Sequence, residues 1–163
     1  MNRLNWIAAG SLFLSGAALA TTTQYAATLN SVVSTGASGS ARVTLDDVAL
    51  SIDILVNFSN LSAPATAAHI HCCTLPNASV VVPFTGFPGA LSGTYHQAFT
   101  LANFSTIQAD LAGGTAYVNV HNASFPGGEI RGTLAPVPEP ASYAMLGIGV
   151  AALALLRRRL PGR

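Results

Sequence analysis

The chain has 163 residues, a formal net charge of +1 and a charged fraction of 8%, with arginine but no lysine. Between Thr21 and Pro136 only Arg42 and Arg131 stand against Asp46, Asp47, Asp53, Asp110 and Glu129, so no basic patch exists to neutralise phosphates, which argues against a nucleic-acid partner. That stretch is long enough for one hydrophobic core and too short for two domains.

Met1 to Trp6 carries one arginine, Arg3, and precedes an apolar run from Ile7 to Ala20 that closes on Ala18-Leu19-Ala20. This is the pattern of a secretory signal peptide over residues 1–20, cut by signal peptidase after Ala20. The run falls short of the roughly 20 apolar residues that a spanning helix needs.

Residues 21–135 read as one all-β domain. Gln24 to Leu29 is a strand, and Ser40 to Asp46 alternates Ala41, Val43 and Leu45 against Arg42, Thr44 and Asp46. The clearest strand is Leu50 to Phe58, with Leu50, Ile52, Ile54, Val56 and Phe58 on one face. Thr66 to Cys72, Ser79 to Phe84 and Ser92 to Leu101 follow, separated by Pro76-Asn77 and by the Gly/Pro turn from Gly86 to Gly89. A short helix is expected over Ser105 to Leu111, with Ser105 and Gln108 as a capping-box pair. Short strands with turns every 8–12 residues or so indicate a Greek-key β-sandwich or barrel of about 7–8 antiparallel strands.

Gly114 to Leu134, GTAYVNVHNASFPGGEIRGTL, reads as a β-hairpin. If His121 sits opposite Glu129, Asn119 faces Arg131 and Tyr117 faces Thr133. One side is then polar, and the other is Ala116, Val118, Val120, Ile130 and Leu134; a one-residue slip would invert this. YVNVH followed by PGGEIRG, with AAHIH (Ala67 to His71) upstream, resembles the CHRD domain first described in chordin. The similarity runs from about Tyr25 to Leu134 and implies a fold but little chemistry. At Asn30 to Ser34 the chain reads NSVVS, where the family often has a Glu-Val-Pro-Pro-like segment.

Beyond the domain, residues 136–163 hold Pro138-Glu139-Pro140, a run of apolar or small residues from Ala141 to Leu156, and Arg157-Arg158-Arg159. A helix over 141–156 would span about 24 Å, with the arginines on the cytoplasmic side. The order resembles the PEP-CTERM sorting signal. That resemblance implies a bacterial protein recognised by an exosortase, anchored in the inner membrane by this transmembrane helix, then delivered to the cell envelope or an extracellular polysaccharide matrix. A plain C-terminal anchor is the alternative. The five Asn-x-Ser sequons are read as incidental.

Chemistry is confined to a few residues. His69 and His71 lie two apart on a strand, so their rings share a face about 7 Å apart at Cα, opposite Ile70. His121 likewise lies opposite the apolar side of its strand. The three are a candidate ligand set for Zn or Cu, with Cys73 as a possible soft ligand and Glu129 orienting or ligating. The alternative is that these imidazoles only hydrogen-bond between strands. Cys72 and Cys73 are the only cysteines, and export makes a vicinal disulfide or an intermolecular bond a candidate too. A copper/zinc superoxide dismutase site resembles a cluster of six histidines and an aspartate, and this chain has four histidines in all. No nucleophile elbow, phosphate loop or paired-carboxylate motif occurs. The expectation is an exported, non-catalytic binding or structural module whose partners are exopolysaccharide or surface proteins. The alternative is a mononuclear metal-binding protein or redox enzyme.

Overall fold

A computed structural model of the chain describes residues 22–73, 78–138 and 147–150. The expected signal peptide lies outside the described residues, as do Glu139, Pro140 and Arg157 to Arg159. Of the expected membrane helix only 147–150 is described, and it is helical. Among the described residues no helix is long and apolar enough to cross a membrane.

Among the described residues up to 138, nine strands and one helix follow in order: β1 (Thr22–Ser31), β2 (Ser38–Asp46), β3 (Ser51–Ser59), β4 (Ala65–Cys72), β5 (Ser79–Pro83), β6 (Gly93–Thr100), α1 (Phe104–Ala112), β7 (Tyr117–Asn122), β8 (Ile130–Thr133) and β9 (Ala135–Pro136). The strands form one antiparallel sheet in the order β5-β4-β7-β8-β1-β2-β3-β6, with β9 added beside β1. It is a single curled half-barrel, nearer to the barrel than to the two-layer sandwich of the two architectures that the turn spacing allows. Turn spacing reports strand lengths, and cannot tell whether the ladder breaks between two sheets or bends within one.

Alternation places the core. Tyr25, Ala27 and Leu29 of β1, Ala41, Val43 and Leu45 of β2, and Ile52, Ile54, Val56 and Phe58 of β3 all turn to the concave side. Ala68 and Ile70 of β4, Val118 and Val120 of β7, and Ile130 of β8 complete it, and α1 adds Phe104, Ile107 and Leu111. Each fully buried Val, Leu or Ile contributes roughly 1.5–3 kcal/mol. The edge strands β5 and β6 are bridged by rings where the ladder is open: Phe84 stacks on Tyr95 at 5.2 Å, and Phe87 touches both.

Two local expectations need correction. Leu50 does not extend β3 but sits in the preceding turn at φ +50° and is exposed. The Asp46 carboxylate accepts from the Val48 and Ala49 amides there and sets the turn before the apolar alternation begins. Helix α1 starts two residues earlier than the capping box implies, and its N-cap, Asn103, makes no side-chain cap hydrogen bond.

Candidate metal centre

The hairpin of β7 and β8 has the register read from its alternation, with Tyr117 paired to Thr133, Asn119 to Arg131 and Val120 to Ile130. On the other side of β7, β4 pairs His69 with Asn119, His71 with Tyr117 and Ala67 with His121. His69, His71, Tyr117, Asn119, His121 and Arg131 therefore share the convex face of three neighbouring strands. That face is polar as expected, but part of it is covered: Tyr117 is 1% exposed and Asn119 2%.

The turn between β7 and β8 folds back over these side chains. The Pro126 carbonyl accepts from His121 Nδ1 at 2.8 Å. The next carbonyl, Gly127, accepts from Asn119 Nδ2 at 3.0 Å and from Arg131 Nη2 at 3.1 Å. Gly128 then has φ +109°, and a Cβ there would overlap the Asn119 amide, so only glycine lets the turn lie this close. The Pro-Gly-Gly sequence is thus the clamp of the patch.

One ligand nitrogen from each of His69, His71 and His121 falls within 4.8 Å of the others. A carbonyl can only accept, so His71 Nδ1, 2.8 Å from the Ala78 oxygen, carries the proton. His71 is left with Nε2 to offer, and that atom is buried with no hydrogen-bond partner among the described residues. By the same argument His121 carries its proton on Nδ1 and presents the Nε2 lone pair. His69 Nδ1 lies 3.3 Å from it. Two nitrogens bound at about 2.0–2.1 Å to a tetrahedral ion stand about 3.3–3.4 Å apart, so this pair already has the spacing of two ligands. Fixing a ligand imidazole through its other nitrogen is how proteins orient histidine toward a metal.

Electrostatics favour the neutral, ligating form. Burial lowers the His69 pKa, and the neighbouring His121 and His71 lower it further. Burial also lowers that of His121; its bond to Pro126 opposes this, while His71 and Arg131 add to it. Arg131 packs its guanidinium carbon 5.1 Å from the centroid of the Tyr117 ring, and Tyr117 stacks on His71 at 5.1 Å.

The other candidate residues are placed elsewhere. Glu129 is fully buried, but its carboxylate turns away from the histidines. It accepts from Thr35 Oγ1 at 2.5 Å, from the Ser62 amide at 3.0 and 3.1 Å, and from Asn122 Nδ2. It therefore pins the β1–β2 and β3–β4 loops to the hairpin. Burial alone would raise its pKa, but these hydrogen bonds outweigh that and hold it below the usual carboxylate value. Cys73 is bonded to Cys72 as a vicinal disulfide across a cis peptide and lies 3.6 Å from Asp110 Oδ1, so it does not join His69 and His71. His96, on β6, pairs with Asp53 at 3.0 Å.

A curled antiparallel sheet carrying a partly buried histidine patch beneath a Pro-Gly-Gly hairpin is the class of domain that the structure defines. The model of the CHRD domain matches residues 18–134, and the chain belongs to that family. The PEP-CTERM protein-sorting motif matches residues 136–159, so the protein is exported, anchored at its C-terminus and sorted by an exosortase to an extracellular destination. No curated protein and no solved structure matches the chain.

Proposed function

We propose that the domain is a non-catalytic binding module displayed in the envelope or extracellular matrix, and that its ligand is a single Zn²⁺ or Cu²⁺ ion. His69, His71 and His121 hold the ion. The observation that carries this reading is His71 Nε2, a buried lone pair with no partner among the described residues, on a ring locked by the Ala78 carbonyl beside two further imidazoles. A buried polar atom of this kind costs stability unless something satisfies it, and a cation does so. Cleavage by signal peptidase after Ala20, and matrix polysaccharide or surface proteins as neighbours, belong to the same reading.

The test is metal uptake by the purified chain. Zn²⁺ or Cu²⁺ should bind at one equivalent and raise the melting temperature, because a ligand that binds only the folded state stabilises it by mass action. His71→Ala and His121→Ala should abolish that gain, and His96→Ala should keep it. Affinity should fall as pH drops through the histidine range near 6.5, where protons compete for the ring nitrogens. An equal metal response in wild type and His121→Ala ends the reading and leaves the patch as a hydrogen-bonded clamp between strands.

A further inference from the structure

Three protein nitrogens leave a tetrahedral ion one ligand short. Among the described residues no fourth histidine, cysteine or carboxylate joins the three. Glu129 is committed to Thr35, Ser62 and Asn122, and Asp110 lies with the cysteine pair. His69 and His121 are only half-buried, so the remaining position opens on the solvent side of the sheet.

The charge at that position is unusual for this domain. Imidazoles are neutral ligands, so a bound divalent ion keeps both its positive charges. Arg131 adds a third, diagonal to His121 in the β7–β8 ladder and held by Gly127 as His121 is held by Pro126. Its guanidinium forms no ion pair among the described residues; it rests on the Tyr117 ring and keeps N–H groups beyond the one given to Gly127. Elsewhere between Thr21 and Pro136 the only other cation is Arg42, against five carboxylates. The loaded centre is therefore the place on this domain where an anion is drawn.

Resting on the metal reading above, we infer that the ion and Arg131 together bind an exogenous carboxylate, one oxygen on the metal and the other on the guanidinium. A borderline ion of this kind accepts oxygen as well as nitrogen donors, and the planar guanidinium fork matches a carboxylate better than an ammonium does. The histidines hold the ion, and Arg131 selects what completes its shell.

The experiment uses the full-length chain in detergent, loaded with Co²⁺, whose visible bands report its coordination. Acetate is titrated in, with a uronic-acid oligomer and inorganic phosphate as parallel arms. Acetate should change the cobalt bands saturably. Arg131→Gln should weaken acetate binding about tenfold or more while leaving Co²⁺ affinity near wild type, and Arg131→Lys should fall between them. Oligomer binding tighter than acetate assigns the carboxylate to an acidic polymer; equal binding assigns it to small carboxylates. If Co²⁺ binds fully but acetate leaves the bands unchanged, the inference is wrong while the metal reading stands. The same holds if Arg131→Gln and Arg131→Lys both bind acetate as wild type does, or if phosphate binds more tightly. A chain that takes up no metal overturns the underlying reading instead. Should Arg131→Gln fail to fold, Arg131→Lys carries the comparison.

Discussion

The convex face of the sheet carries histidine at both ends, and the two ends behave differently. On the β3–β6 side, His96 is 62% exposed and reaches Asp53, itself 45% exposed, while Thr94 donates to Asn57 at 2.7 Å. These pairs sit in water and hold little. On the β4–β7–β8 side, His71 is 9% exposed, the Pro126 carbonyl holds the His121 ring and the Gly127 carbonyl holds Asn119. Residue type and face are the same; a turn and its cover are what differ. The lesson is that a histidine on an outer sheet face is held in one tautomer when a turn brings a backbone carbonyl onto its ring.

The largest expected break in that contrast is Glu129→Ala. It strips Thr35, Ser62 and Asn122 of their common acceptor, and a loss on the order of 3–5 kcal/mol in urea unfolding is expected. A loss under about 1 kcal/mol would show that the carboxylate is not the pin between loops.

Next is the ion itself. At a free concentration of about 100 times its dissociation constant, Zn²⁺ should add about 2.7 kcal/mol, and Asp53→Asn should leave that gain intact. Gly128→Ala strains a left-handed residue and pushes on Asn119, so it should cost roughly 1–3 kcal/mol and also weaken metal binding. Loss of stability with undiminished metal affinity would separate the clamp from the histidines.

Two pH effects have opposite origins and the same direction. Glu129 has a folded pKa below its ordinary 4.5, so its stabilisation is full above that value and disappears as pH falls through the folded pKa. His69 and His121 have folded pKa values below 6.5, so the unfolded chain binds protons first and stability declines as pH drops from about 6.5. Melting temperatures of metal-free protein between pH 7 and pH 5 should therefore fall, and less steeply in His69→Ala. A flat profile in wild type would mean that the rings are not desolvated. The smallest effect belongs to the open end, where Asp53→Asn should change stability by no more than about 0.5 kcal/mol.

Much of this was legible in the chain. Strand positions followed from period-two alternation, and the β7–β8 register followed because a slip would have buried Asn119 and His121 in the core in place of Val118 and Val120. The shared face of His69, His71 and His121 was legible for the same reason. Glu129 was misread as a neighbour of the histidines, because pairing across a hairpin locates a Cα and says nothing about loops that approach from other strands. For Cys73 the sequence left ligand and disulfide both open, because alternation says nothing past the end of β4; the structure pairs it with Cys72.

Side-chain sequence alone determined the strands, the apolar face and the sorting tail, since each rests on local periodicity or a contiguous motif. Only the tertiary structure decided that the sheet is one curl and not two layers, and that Ala78, Pro126 and Gly127 carbonyls orient the histidines and Arg131. The physical reason is that every residue carries the same carbonyl. Which of them meets an imidazole depends on how distant turns fold over the sheet, and no residue type announces that.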